Sequence, residues 1–376
     1  MAFPLPLTRT ANSKPAIKQI WEMINLGSRL VATPNDYISH RLYQQEKDNN
    51  DALRFLSGAR ARELQNALNS NPQKLENKLE YAAHYGGLGL PVPPTLAVIG
   101  TPKTETPYLQ VSNKDDIIDF LKTQLDQGQH IVIKESAGMQ GAGVLVIVDL
   151  LEVEGQQFLL LSNGETKKLN ETVSAMSESP NVFLVQERLK QHEALSALNP
   201  TSLNTLRVGT FLNRDGSVYI DHAVLRIGRE YSQIDTYNMG GVGVRVDVET
   251  GQLSEFGHQK PRYSREPIGE HPDSKVRFGD VQIPFWDDVL ALAEKFAANS
   301  GRNRFVGWDV AISPSGPVFV EGNHYWDANF AQIGEVGLLS DSFIARLYQE
   351  ADLKISATEM PSPQPLRAIR LLRSSQ

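Results

Sequence analysis

Residues 307–323 read GWDVAISPSGPVFVEGN, in which two apolar segments carry acidic or amide residues at their outer ends. Apolar residues on either side of a Ser-Pro-Ser-Gly segment predict a β-hairpin. Glu321 and Asn323 are two residues apart, so their side chains lie on one face of the second strand. If the turn consists of the three residues Pro314 to Gly316, Asp309 comes opposite Glu321. A two-residue turn would shift the pairing and place Asp309 on the opposite face.

Two carboxylates and one amide that converge among apolar strand residues are costly to bury without a partner. Such an all-oxygen set suits Mg²⁺, which takes one or two carboxylates and keeps its other positions for water and phosphate. Asp309, Glu321 and Asn323 are therefore candidate Mg²⁺ ligands. The alternative is an ordinary hairpin with polar ends, and this segment alone does not decide between the two.

Composition sets the class of protein. The chain has 376 residues, of which 40% are apolar and 22% charged, typical of a globular protein with room for two or three domains. A formal net charge of −7 argues against general nucleic-acid binding, and no apolar run is long enough to span a bilayer. Cysteine is absent, which excludes disulfides and thiolate zinc sites. The N-terminus lacks a secretion-signal pattern, so we expect a cytoplasmic protein with no membrane partner.

The chain divides by pattern into four parts. We predict a mainly helical region, two α/β units and a peripheral Pro/Ser-rich tail, at residues 1–94, 95–190, 191–350 and 351–376. The clearest N-terminal helix is predicted to begin with Asn71 as its N-cap and Pro72 at its first position. It is predicted to end at Gly86 and Gly87.

A short apolar strand ends at Lys134 and runs directly into a loop rich in Gly, Ala and Ser, residues 136–143. Glycines let backbone N–H groups approach a phosphate, and the lysine adds a point charge. The segment is not a P-loop, because no Gly-Lys-Ser/Thr follows and the next predicted element is a strand. Taken alone, the pattern also fits a long exposed hairpin loop.

Two further segments indicate a binding site only when they are considered together with the other motifs. Residues 185–189 leave a strand, where backbone groups can meet a purine edge above the apolar floor of Leu189, or simply form a charged strand end. Arg207 and Arg226 lie on adjacent strands of one predicted hairpin. Together they can clamp a carboxylate or phosphoryl group, or they can be surface cations paired with acidic residues.

The order of these features resembles the ATP-grasp superfamily over about residues 85–350. The stretches at 199–207, 271–286 and 306–309 are similar to the sugar-transfer-associated ATP-grasp group, akin to α-L-glutamate-ligase-like enzymes. The resemblance implies an α+β protein with the ATP-grasp fold, in which two α/β subdomains clasp ATP. Here that fold is preceded by the mainly helical N-terminal region.

The resemblance also implies an activity, that of an ATP-dependent ligase. A substrate carboxylate is activated as an acylphosphate and attacked by an amine or another nucleophile, which releases ADP and phosphate. The implied partners are therefore a small-molecule carboxylate and a nucleophile, and homo-oligomerisation is left open. An ATP-grasp kinase and a non-catalytic nucleotide-binding partner protein are the alternatives, of which the complete metal set disfavours the second.

Site residues follow from the same match. The residues implied to bind the triphosphate are Lys134 and, in the loop that closes over it, Ser136, Gly138, Gly141 and Gly143. Those implied to hold the rest of the nucleotide are Gln186, Glu187, Leu189 and Asn204. The implied Mg²⁺ ligands are Asp309, Glu321 and Asn323. The implied catalytic residues are Lys134, Arg207 and Arg226.

The chain departs from the superfamily pattern in two places. Peptide-forming members often have an arginine two residues before the metal-binding aspartate, where this chain has Gly307, so Arg207 or Arg226 is expected to supply the charge. The usual N-terminal Rossmann-like subdomain, which often holds part of the acceptor site, looks missing or remodelled into helices. We expect the long, locally basic segment 257–283 to line the acceptor side, although a solvated surface loop is the alternative.

Overall fold

Two β-sheets and a group of N-terminal helices make up the fold in a computed structural model of the chain. The structure describes residues 7–30, 32–138, 143–230, 232, 237–334, 337–338, 347–348, 350–351 and 371–372. Gly141 of the predicted phosphate loop and most of the predicted 351–376 tail lie outside these residues. Within the described part of the chain, no helix is long and apolar enough to cross a membrane.

The N-terminal region is helical. Its helices α1 to α6 span Ala16–Leu30, Pro34–Ser39, Asn49–Ala52, Gly58–Leu68, Gln73–Glu76 and Lys78–Gly87. The prediction of one helix from Asn71 to Gly87 is wrong, because the chain breaks at Asn77. The Asn77 side chain accepts hydrogen bonds from the N–H groups of Leu79 (3.0 Å) and Glu80 (3.2 Å), which caps α6. Lys78 is thereby fixed as the first residue of α6.

The first sheet carries the strand that ends near Lys134. Its strands β1 to β7 span Thr95–Ile99, Leu109–Val111, Ile131–Glu135, Leu145–Val153, Gln156–Leu161, Thr166–Lys168 and Phe183–Glu187. They lie in the order β2-β1-β7-β3-β4-β5-β6 and are antiparallel except for β1 and β2. The core of this unit comes from the sheet and from α7 (Lys114–Asp126) and α8 (Leu169–Ser177).

The second sheet carries the predicted metal ligands. Its strands β8 to β13 span Thr205–Leu212, Val218–Ile227, Val242–Val246, Leu253–His258, Phe305–Ser313 and Gly316–Asn323. They lie in the order β11-β10-β9-β8-β12-β13, and the short strand β14 (Leu371–Leu372) pairs with β9. The remaining helices α9 to α11 span Glu193–Ser196, Trp286–Ala298 and Ala328–Ala331.

Alternation along the strands separates an apolar face from a charged face in this second sheet. Leu206, Val208 and Val310 belong to the core that includes Phe296 of α10. The intervening residues share the opposite face, and the strand register aligns Arg207 with Asp309 there. One face of the sheet therefore builds the core, while the other is free to build a site.

The 309–323 hairpin has the shorter of the two turns that the sequence left open. Ser313 pairs with Gly316, so the turn has two residues. A β-bulge then shifts the register between Asp309 and Val310, because Val310 pairs with Phe319 and Asp309 with Glu321, two residues further on. The extra residue compensates for the shorter turn, so Asp309 lies opposite Glu321, and the expectation that a two-residue turn places it on the other face is wrong.

Gly322 fixes the close approach of the N-terminal helices to β13. A Cβ atom at Gly322 would lie 2.8 Å from Leu75 Cδ2 and 2.9 Å from Trp308 Cζ3, closer than such contacts allow. We expect Gly322→Ala to lower the free energy of unfolding by about 1–3 kcal/mol, since well-packed interiors resist added volume. Urea unfolding measures the change.

Gly87→Ala is the matched control, because a Cβ atom at Gly87 meets nothing within 4 Å at the end of α6. That variant should be at least as stable as the parent, since alanine favours the helix. Equal stability of both variants would contradict the proposed packing of α5 on β13.

Candidate active site

A buried carboxylate held by two arginines lies at the centre of the charged face. Arg207 Nε donates to Asp309 Oδ1 at 2.6 Å, and Arg226 Nη2 donates to Asp309 Oδ2 at 2.6 Å. Arg207 lies directly opposite Asp309 on the neighbouring strand, and Arg226 reaches it from β9. Arg226 also donates to the Thr205 hydroxyl at 2.6 Å. The sheet register thus brings both predicted arginines to the same aspartate.

The two carboxylates of the site have opposite pKa shifts. Burial alone would raise the pKa of Asp309, but the charges of Arg207 and Arg226 outweigh it and lower that pKa to about 2. Burial, together with the charge of Asp309, raises the pKa of Glu321. Asp309 is therefore a fixed anion, whereas an ionised Glu321 needs additional positive charge nearby.

The oxygen atoms of this cluster fit a magnesium ion. Asn323 Nδ2 donates to the Gly307 carbonyl at 3.4 Å and to Glu321 Oε1 at 3.5 Å, which leaves the amide oxygen for a ligand. Each carboxylate oxygen has two acceptor sites, so the arginine bonds of Asp309 do not exhaust it. The residues that the structure describes contain no group of three or more His, Asp or Glu side chains able to hold a metal. Mg²⁺ needs only one or two carboxylates, so the donor set fits it.

Gly307 explains the missing arginine two residues before Asp309. A Cβ atom at Gly307 would lie 2.9 Å from Trp326 Cβ and 3.0 Å from Arg207 Cδ. The Arg207 side chain therefore occupies the space next to Gly307 on its way to Asp309. A larger residue at position 307, such as the arginine of the superfamily pattern, would displace the Arg207 side chain.

Two lysines approach the carboxylate pair from the first sheet and from α6. Lys134 is buried, and its ammonium group makes no hydrogen bond with the described residues. Burial lowers the pKa of Lys134 to about 8; the charge of Glu321 opposes this shift and that of Lys78 adds to it. The pKa of Glu321 is raised overall, but the charges of Lys78 and Lys134 each oppose that rise. Both cations therefore face this carboxylate.

Sequence reasoning missed Lys78. Its backbone N–H donates to the Ser136 carbonyl at 2.8 Å, and its ammonium group donates to the Gly138 carbonyl. Lys78 thus joins the N-terminal helices to the first residues of the predicted phosphate loop. The available signal was Asn77, a strong N-cap residue that starts a helix at Lys78.

The described ends of the predicted phosphate loop lie close to this lysine. Ser136 is buried, and its N–H donates to the Val182 carbonyl at 2.8 Å. Gly143 has a φ of +74°, a conformation that favours glycine where the chain re-enters the sheet. Gly141 lies outside the described residues, so its predicted role stays a prediction.

The segment predicted to hold adenine begins at the end of β7, next to the start of β1. The Gln186 side chain donates to the Thr95 hydroxyl at 2.9 Å, and the Glu187 N–H donates to the Pro94 carbonyl at 3.0 Å. Leu189 is half-buried, and its N–H has no hydrogen-bond partner in the described part of the chain. The backbone after β7 therefore offers one donor next to an apolar side chain.

Asn204 does not have the free groups that nucleotide binding needs. Its amide nitrogen donates to the carbonyls of Leu195 (3.0 Å) and Asn199 (2.9 Å). Its amide oxygen accepts from the Gly228 N–H at 3.1 Å and the Ser202 hydroxyl at 3.2 Å. With its amide fully engaged and buried, Asn204 ties the start of β8 to neighbouring loops, so we withdraw its assignment to the nucleotide.

Comparison with solved structures finds likenesses at low sequence identity. The chain is 13% identical to D-alanyl-alanine synthetase A from Vibrio cholerae O1 biovar eltor, covering 76% of this chain and 68% of that one with a TM-score of 0.45. For the D-alanine-D-alanine ligase from Coxiella burnetii the identity is 9%, the coverage 76% and 59%, and the TM-score 0.42. For biotin carboxylase from Campylobacter jejuni the identity is 10%, the coverage is 70% of this chain and 46% of that one, and the TM-score is 0.36. The chain thus spans less than two thirds of the last two proteins.

Comparison with curated protein sequences finds no match. The family of sugar-transfer associated ATP-grasp proteins, in contrast, matches residues 59–343, well over half of the chain. The match begins in α4 and includes Lys78, both sheets and all three predicted metal ligands. It is this match, and not the distant structural likenesses, that assigns the ATP-grasp fold. The chain belongs to the sugar-transfer associated ATP-grasp family.

Proposed function

We propose that the protein is an ATP-dependent ligase that activates a substrate carboxylate as an acylphosphate for attack by an amine or another nucleophile. The observation that carries this proposal is the buried ammonium of Lys134, which has no hydrogen-bond partner among the described residues and lies near Glu321, the neighbour of Asp309. A partly dry, unpartnered cation close to the candidate metal ligands suits a ligand with both phosphate and metal.

The lysines are proposed to hold the triphosphate. Lys134 and Lys78 come from different parts of the chain and converge on Glu321, so a nucleotide between them contacts both halves of the cleft. Phosphoryl transfer depends mainly on positioning and charge neutralisation, which two cations at fixed positions provide. The loop that begins at Ser136 is proposed to cover the phosphates.

The proposed metal is Mg²⁺, held by Asp309, Glu321 and Asn323. When bound, it neutralises phosphate charge as a Lewis acid. Arg207 and Arg226 keep Asp309 ionised and in place, so the site is preorganised before ligands bind. Arg226, with 18% of its side chain exposed, is the arginine better placed to reach a transferring phosphoryl group.

The adenine is proposed to lie against the segment that follows β7. The Leu189 N–H suits an acceptor nitrogen of the purine, and the Leu189 side chain suits its face. Glu187 and Gln186 shape this segment through their bonds to Pro94 and Thr95. These features support the proposal that the adenine lies against this segment.

Ligase and kinase outcomes are separated by trapping. We expect a screen of carboxylic acids with ATP and Mg²⁺ to release phosphate, and hydroxylamine to convert the acylphosphate into a hydroxamate. Hydroxamate formation without an added amine identifies an activated carboxylate. A phosphorylated product that resists hydroxylamine would instead identify a kinase.

Mg²⁺ dependence tests the carboxylate pair. Asp309→Asn combined with Glu321→Gln should lower turnover by about 100-fold or more, because several kcal/mol of charge stabilisation depend on the metal. Phosphate release at increasing Mg²⁺ measures this loss, and urea unfolding checks that the variant is folded. Glu152→Gln, at an exposed position of β4, is the control. Parent-like turnover by the double variant would refute the metal site.

Proton uptake tests Lys134. Its pKa of about 8 without ligand should rise next to phosphates, since the protonated form is the one that binds. ATP affinity should therefore fall as the pH rises above about 8, and binding near that pH should take up protons. Calorimetry in two buffers of different ionisation enthalpy measures the uptake.

Lys134→Met should abolish this proton uptake and weaken ATP binding, whereas Lys167→Met, at an exposed position of β6, should leave both unchanged. An ATP affinity that stays constant between about pH 7 and about pH 9 would show that Lys134 does not contact phosphate.

A further inference from the structure

A second polar crevice lies at the other end of the charged sheet face. One wall is the segment around Arg41 that follows α2, and another is the chain from His258 to Arg265 that follows β11. Asp327 and Asn329, at the start of α11, form a third wall. The crevice therefore joins the N-terminal helices to part of the segment predicted to line the acceptor side.

Two cations in the lining of this crevice have no carboxylate partner among the described residues. Lys260 and Arg265 are half-buried, and neither makes an ion pair with the residues that the structure describes. Lys260 Nζ lies 6.0 Å from the centre of the Tyr237 ring instead. Elsewhere a partly exposed arginine such as Arg229 has a carboxylate partner at 2.7 Å. Unpaired cations in a crevice favour a bound anion.

The acidic residue in the lining, Asp327, makes no ion pair with Lys260 or Arg265. The Asp327 carboxylate accepts hydrogen bonds from the N–H groups of Asn329 (3.0 Å) and Phe330 (3.4 Å), and so caps α11. The Asn329 Oδ1 atom is buried without a hydrogen-bond partner among the described residues. Burial and then the charge of Arg41 lower the pKa of His258 to about 4, so this side chain is neutral.

Arg41 occupies a backbone position that favours glycine. Its φ is +54°, and it follows the C-terminus of α2. The Leu42 N–H donates to the Tyr37 carbonyl and the Arg41 N–H to the Ile38 carbonyl, both at 3.0 Å, which is the Schellman arrangement. Glycine is usual at this position because other residues are strained there. The Arg41 side chain is buried and lines the crevice.

Strand register relates the crevice to the candidate active site. Arg226, Gly243 and His258 are aligned across β9, β10 and β11 and share one sheet face. Neighbouring strands are about 4.8 Å apart, so His258 lies about 10 Å from Arg226. A Cβ atom at Gly243 would lie 2.7 Å from Phe330 and 2.8 Å from Ile333. These two apolar side chains therefore cover the sheet face between Arg226 and His258. A group in the crevice is therefore too far away to be the reacting carboxylate.

We propose that this crevice binds a second anionic group, a carboxylate or a phosphate, of the acid substrate, through Lys260 and Arg265. The substrate class is then an acid whose two anionic groups are about 10 Å or more apart, joined by a part that passes the apolar cover. This inference rests on the proposed ligase function for its substrate, but not for the anion binding itself.

Anion binding is tested directly with inorganic phosphate in the absence of nucleotide. We expect saturable protection from hydrogen exchange in Ile38–Tyr43 and His258–Arg265. In the double variant Lys260→Gln, Arg265→Gln, half-saturation should need about tenfold more phosphate or higher, since charge-assisted hydrogen bonds are lost. Lys275→Gln, in the same segment but paired with Glu270, is the matched control and should bind as the parent does.

The outcomes separate this inference from the proposed function. Asp309→Asn should keep its phosphate protection in the crevice even though its turnover is lost. Protection that occurs only around Lys78 and Lys134, or that survives unchanged in the double variant, would overturn the anion site. If the wild-type protein turned over ATP with none of the acids tested, the proposed function would fail, but phosphate protection of the crevice would still support the anion site.

The substrate assignment has its own readout. For acids that the wild-type protein turns over, the double variant should raise the KM for the acid about tenfold or more while the KM for ATP and kcat change little. Weaker phosphate protection combined with an unchanged KM for the acid would show that the crevice holds a free anion. That result would overturn the substrate assignment.

Discussion

The buried ion pairs of Asp309 with Arg207 and Arg226 are the interaction on which the rest of the site depends. A carboxylate this deep in a sheet is unfavourable alone, and removing one partner of such a buried pair typically costs about 3–5 kcal/mol. The arginines offset that cost and fix both oxygens at 2.6 Å. Strands β8, β9 and β12 must keep their register for this geometry to exist, so the site forms only when the sheet is correctly paired.

The order of motifs along the chain was enough to predict the fold, whereas the hairpin pattern left the position of Asp309 open between two turn lengths. The turn was not predictable in the same way, because a two-residue turn and a bulge together give the same register as the longer turn. Lys78 was missed because the break at Asn77 divides a region whose apolar pattern fits one continuous helix. Asn204 was misassigned because sequence does not reveal which buried amides are already satisfied.

The N-terminal helices belong to the site and are not an appendage to it. Leu75 of α5 packs against Gly322, and the Tyr81 hydroxyl of α6 donates to the Phe319 carbonyl at 3.1 Å. These contacts position Lys78, whose own backbone bonds to Ser136 on the first sheet. One short helix therefore links the predicted phosphate loop to the strand that carries the proposed metal ligands. This arrangement gives the helical N-terminal region direct contacts with both sheets.

The charges of the candidate active site point to the same ligand as its geometry. Arg207, Arg226, Lys134 and Lys78 surround two carboxylates, so the site has an excess of positive charge before any ligand binds. A magnesium–ATP complex carries net negative charge of a comparable size. Its metal would stabilise the ionised form of Glu321, and its phosphates would stabilise the protonated form of Lys134. The two groups with the most unfavourable burial are thus the two that such a complex would relieve.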